Sequence, residues 1–153
     1  MIIDAHAHIG PREVGSEYRH MASPIYPPEQ LLESMDTNQV DMAVVFAMRS
    51  AGKYDEHNQY ILDSAKKYSK RLIPFIRINP WKDSPEILRK AFDDGFRGLK
   101  LHPNDESFYP NDSQVFPFLD LLKMIRDVGS PNYSIYPNFS YDSPTYPMQE
   151  RAL

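Results

Sequence analysis

The chain contains no cysteine, which excludes disulfides and thiolate metal sites and leaves His, Asp, Glu or a modified Lys as metal ligands. The same absence makes an intracellular home, the cytoplasm, the default expectation. No stretch approaches the about 18 consecutive apolar residues of a membrane-spanning helix. The opening Met1-Ile2-Ile3-Asp4 has neither the charged start nor the apolar middle of a signal peptide. A soluble, unprocessed chain with no membrane partner is therefore expected. Basic excess is missing too: 17 Lys and Arg stand against 21 Asp and Glu, a net charge of -4. That leaves no stripe to neutralise phosphates, so nucleic-acid binding has no support in composition. Small acidic or neutral ligands stay open.

What is present is ordinary for a single globular domain: 153 residues, 41% apolar and 25% charged. Short apolar runs rich in branched residues alternate with helix-period segments, the rhythm of βα units around a parallel sheet. Strands are expected at residues 1–8, 42–47, 72–78 and 97–102. The first helix is expected to start at Pro28, with Leu31, Leu32 and Met35 as its buried stripe. Asp55 is placed to cap the second, in which Ile61, Leu62, Ala65 and Tyr68 recur on one face. In the third, Ser84 stands as N-cap and Pro85 at the first position, with Gly95 as terminator. A fourth helix is expected over residues 115–128, stopped by Gly129.

Four βα units thus fill residues 1–129, about half of an eight-unit barrel of about 250 residues. Residues 130–153 read differently, since Ser, Pro, Asn and Tyr make up 14 of these 24 positions. Prolines at 131, 137, 144 and 147 fall too often for a central strand. An irregular or disordered tail without a fifth strand is expected.

The chemistry-bearing residues begin with Asp4, His6 and His8, at i, i+2 and i+4 of one strand and so expected on one face. In a barrel that face is the interior, and the two imidazoles nearest the C-terminal end can converge on one divalent ion. Gly10, just beyond, lets backbone approach a ligand. His20 and His57 have no motif around them and are expected at the surface.

Ile3-Asp4-Ala5-His6-Ala7-His8-Ile9-Gly10 resembles the first-strand signature of the amidohydrolase superfamily. Phe96-Arg97-Gly98-Leu99-Lys100-Leu101-His102-Pro103 resembles the fourth strand of its amidohydrolase-related branch, the metal-dependent TIM-barrel hydrolases and decarboxylases. The resemblance covers residues 1 to about 129 and implies an α/β fold, the N-terminal half of a (β/α)₈ TIM barrel.

It also implies roles. His6 and His8 match the two first-strand metal ligands, usually of zinc, with Asp4 beside them. Lys100 matches the place where some members carry a carboxylated lysine between two metals; an internal ion pair is the alternative, and His102 divides likewise between a metal or substrate role and a structural one. Arg49 stands near an arginine that binds a substrate carboxylate in decarboxylase-like relatives, unless it is a solvated loop residue. Asn79 either reaches the barrel mouth, with Arg77 similarly placed, or caps the turn before Pro80.

Complete members add histidines from the fifth and sixth strands and a proton-shuttling aspartate from the eighth. None of these positions is recognisable here, so no catalytic residue is assigned. The resemblance implies metal-assisted hydrolysis of C–N or C–O bonds in a small molecule, the ion acidifying water and polarising a carbonyl. The alternatives are decarboxylation, which favours a role for Arg49, and a catalytically inactive binding or assembly module. A TatD-like nuclease is disfavoured by the Leu99–Pro103 run and the acidic balance. Half a barrel leaves two open sheet edges, so marginal stability, aggregation or assembly with another copy is expected.

Overall fold

The computed structural model describes residues 1–10, 27–47, 54–127 and 138–139. Strands β1 (Ile3–His8), β2 (Met42–Phe46), β3 (Leu72–Arg77), β4 (Gly98–Leu101) and β5 (Asn138–Phe139) form one sheet in sequence order, every neighbouring pair parallel. Helices α1 (Pro28–Thr37), α2 (Tyr54–Lys67) and α3 (Glu86–Asp94) connect the first four strands, and α4 (Pro103–Glu106) and α5 (Phe116–Asp127) follow β4. The four longer strands curl into a half barrel with helices on its outer face, the partial α/β TIM barrel that the family resemblance implies.

The two-residue period of a strand divides the sheet into two faces. Ala7, Ile9, Ala43, Val45, Leu72, Ile76, Leu99 and Leu101 belong to the main core, with Leu31 and Met35 of α1, Ile61 and Leu62 of α2, Leu88 and Phe92 of α3 and Phe118 and Leu122 of α5. Val44, Phe46 and Phe75, with Ile73 against them, form a second, smaller cluster on the concave side. The helix stripes expected from spacing are the ones that pack here.

Several boundaries differ for local reasons. Asp55 lies inside the first turn of α2, where a carboxylate favours the helix N-terminus without capping it. Pro85, not Ser84, is the N-cap of α3, and the Ser84 hydroxyl donates to Glu86 at 2.6 Å. Gly95 ends that helix at φ 122°, a conformation glycine adopts without strain. The short helix α4 was not expected from apolar period; its signals are Pro103 at the first position and Asp105 and Glu106 in the first turn.

The proline-rich segment also contributes β5, whose Asn138 and Phe139 pair with Lys100 and Leu101. Frequent prolines exclude a long ladder, but neither position of this two-residue strand is a proline. The rest of the expected tail, and Gly129, lie outside the described residues.

Gly98 is required by packing. A Cβ there would lie 2.3 Å from Cζ of Phe75, whose ring covers it from the adjacent strand. Gly98→Ala is expected to destabilise the chain by about 1–3 kcal/mol through overpacking. Urea unfolding checks this, and an unchanged midpoint contradicts it.

Candidate metal and ligand site

The C-terminal end of β1 carries the histidine pair. A register irregularity between Asp4 and Ala7 sets Asp4 beside Ala43 and His8 beside Phe46. Such a bulge breaks strict alternation, so Asp4 leaves the row of the two histidines: its neighbour Ala43 belongs to the helix-facing core, and its Oδ1 accepts the His6 backbone N–H at 2.9 Å. The expectation that all three side chains share one face therefore holds for His6 and His8 and fails for Asp4.

The two imidazoles do converge. Their Nε2 atoms are 3.2 Å apart, with His6 exposed and His8 half-buried. At ordinary metal–nitrogen distances of about 2.0–2.1 Å, that separation corresponds to an angle of about 100° at a shared ion, between tetrahedral and octahedral values. His8 has the protonation state a ligand needs: burial, then the neighbouring His6, Lys100, Arg77 and His102, lower its pKa from 6.5 to about 4. The pair thus fits two positions of a divalent ion's coordination sphere. Among the described residues no group of three His, Cys, Asp or Glu is arranged to hold a metal.

Lys100, on β4, is fully buried and places its Nζ 4.5 Å from the Phe46 ring centroid. His102 caps α4: its Nδ1 accepts the Asp105 backbone N–H at 3.2 Å and lies 3.5 Å from the Asp105 carboxylate. Asn79 holds a turn, its Oδ1 accepting from the Trp81 N–H at 2.9 Å while its own N–H donates to Asp83 at 2.6 Å. Arg49 and His20 lie outside the described residues.

His57 is not at the surface, contrary to expectation, but only 3% exposed. It precedes Ile61 and Ala65 by four and eight positions, so helical period places it on the buried stripe of α2. Two surface hollows, one lined by Leu62, Lys66, Leu72 and Arg97 and the other by Met35, Asp41 and Arg71, involve none of the histidines.

The residue whose part spacing least revealed is Arg77. Its side chain is 1% exposed, and Nη2 contacts Asp105 Oδ2 at 2.5 Å and Glu106 Oε1 at 2.7 Å. Tyr54 donates its hydroxyl to the same Glu106 oxygen and lays its ring 5.2 Å from the guanidinium carbon. Burial and then that hydrogen bond push Tyr54 above the ordinary phenol range, so it remains a donor. Asn58 satisfies both backbone groups of Arg77, donating to its carbonyl at 2.8 Å and accepting its N–H at 3.0 Å. This network ties β3 to α2 and α4 beneath the mouth.

These features define a class: a parallel βα half barrel with a convergent histidine pair at the C-terminal end of its first strand. The amidohydrolase family profile matches residues 3–132, and the chain belongs to that family. No curated protein sequence matches it.

Solved structures share the fold. The manganese-bound 5-carboxyvanillate decarboxylase of Novosphingobium aromaticivorans aligns with a TM-score of 0.66 and 18% identity, over 90% of this chain and 50% of its own. For 2,6-dihydroxybenzoate decarboxylase from Rhizobium the values are 0.65 and 14%, over 94% and 51%. A probable 2-pyrone-4,6-dicarboxylic acid hydrolase from Acinetobacter baumannii, with citric acid bound, gives 0.56 and 16%, over 88% and 56%. The chain therefore spans about half the length of these structures. Among the described residues no helix is long and apolar enough to cross a membrane.

Two predictions follow from this geometry. Arg77→Leu strands two carboxylates beneath the mouth and is expected to destabilise the chain by about 3–5 kcal/mol; a urea midpoint moved no more than by a surface substitution, about 0.5 kcal/mol, contradicts the buried network. Because the folded pKa of His8, about 4, lies below its unfolded value of 6.5, folding favours the neutral ring. Its stabilising contribution is complete above pH 6.5 and is lost as pH falls toward 4. Histidine proton resonances followed by NMR should give His8 a midpoint well below that of a free imidazole; an ordinary midpoint near 6.5 overturns the assignment.

Proposed function

We propose that this chain supplies the first-strand metal ligands, His6 and His8, of a metal-dependent hydrolase that cleaves C–N or C–O bonds in a small molecule. The observation that carries the reading is the 3.2 Å approach of the two Nε2 atoms. Family membership supports it, since amidohydrolases are metal-dependent. When bound, the ion supplies Lewis acidity, polarising a carbonyl and acidifying water. We take it as zinc, which imidazole nitrogen suits; manganese, held by the carboxyvanillate decarboxylase structure, is the alternative.

The chain's own residues have distinct tasks in this reading. His8 binds as a neutral donor because its surroundings oppose protonation. Lys100 brings positive charge to the concave face and favours an anionic or carbonyl-bearing ligand near the pair. His102, committed through Nδ1 to the cap of α4, is read as orienting a ligand rather than ligating the ion. Asp4, turned onto its own strand, takes no part.

The remaining ligands and the group that moves the proton come from outside the described residues or from a second chain at an open edge of the sheet. A cytoplasmic location accords with the lack of cysteine. Decarboxylation is the second reading, favoured by the two decarboxylases among the structural neighbours, and it gives Arg49 the task of binding a carboxylate.

Metal content measured after equilibration with zinc or manganese should be at least tenfold lower in both His6→Ala and His8→Ala. Uptake unaffected by either change overturns the reading and leaves a binding or assembly module. With metal bound, carbon dioxide release as against amide or ester cleavage separates the two chemistries.

A further inference from the structure

Phe46 ends β2 and is entirely buried on the concave side, in register with His8. Both imidazoles meet its ring edge to face: His6 at 4.8 Å between centroids and 77°, His8 at 4.6 Å and 84°. The imidazoles also meet each other, at 5.1 Å and 65°. The Lys100 ammonium, arriving from β4, lies 4.5 Å from the same ring centroid. Three polar groups from two strands thus gather on one side chain from a third.

This arrangement addresses a geometric problem. Side chains two residues apart on a strand start about 6–7 Å apart at their bases, so two nitrogen tips 3.2 Å apart require both rings to lean together. Each imidazole rotates about two side-chain bonds, and His6 is exposed. A rigid wall shared by both rings removes part of that freedom before any ion arrives, and restraint of this kind raises affinity by cutting the ordering cost of binding. The electron-rich ring face also gives the Lys100 ammonium an attachment, holding its charge at a set distance from the pair.

We propose that Phe46 is the positioning residue of the histidine pair: its ring holds the His6 and His8 imidazoles at the separation a shared divalent ion requires and anchors Lys100 beside them. The metal role of the pair rests on the function proposed above; the positioning does not. Phe46 contributes no donor atom, so its effect reaches the ion through the shape of the pair.

The experiment has two arms, on the metal-free chain and in a zinc titration. Phe46→Leu removes the ring and keeps most of the apolar volume, Phe46→Tyr keeps the ring, and Phe46→Met, which refills space flexibly, is a second ring-free variant should leucine not fold. Without metal, NMR contacts between the His6 and His8 ring protons are expected in the parent and Phe46→Tyr and should disappear in the ring-free variants, with circular dichroism unchanged. By calorimetry, zinc affinity should fall about 10- to 100-fold in the ring-free variants and recover in Phe46→Tyr.

Persistence of the ring contacts in a folded ring-free variant overturns the positioning role, as does undiminished zinc affinity. A parent chain that binds no zinc or manganese but shows ring contacts that depend on Phe46 sinks the metal reading alone.

Discussion

The two-residue period of a parallel strand is the constraint on which this molecule depends, because it gives every strand a helix-facing row and a concave row. The first row is aliphatic and shares its core with α1, α2, α3 and α5. The second carries His8, Phe46, Arg77 and Lys100, aligned by the pairings His8 with Phe46 and Arg77 with Lys100. One register irregularity in β1 is enough to take Asp4 out of the histidine row. Helix packing thus supplies the stability, and the opposite face is left to carry charge.

Charge on that face has to be compensated, and the structure does so unequally. Arg77 is buried against Asp105 and Glu106, and helix α4 exists where it delivers both carboxylates. His102 caps that helix through Nδ1, so the residue just after β4 joins its strand to the cluster. Burying such a network is costly unless its members are hydrogen-bonded, which accounts for Tyr54 and Asn58 of α2 being drawn into it. Burial, and then the neighbouring His6, Lys100, Arg77 and His102, disfavour protonation of the His8 imidazole. A group that ordinarily titrates near neutrality is held neutral at pH 7.

Shared fold leaves the reaction open. The structural neighbours include decarboxylases and a probable hydrolase at 14–18% identity, so one fold carries more than one chemistry. The chain spans about half of each of them, and on its concave face the described residues bring together the His6–His8 pair, Phe46 and Lys100.

The sequence by itself determined the four βα units, their order and the convergence of His6 with His8, because strand and helix periods and i, i+2 spacing are local properties of the chain. It pointed to the amidohydrolase family through two motifs, and the family match over residues 3–132 agrees. Tertiary structure decided what depends on distant partners. Asp4 left the row through a bulge formed against β2, and His57 went inside with the stripe of α2. Asn138 and Phe139 became a strand because β4 offered an edge, and Arg77 gained its carboxylates from residues 28 and 29 positions away. Periodicity names the face on which a side chain stands; only the packed sheet brings to that face the groups that set its charge, its restraint and its partners.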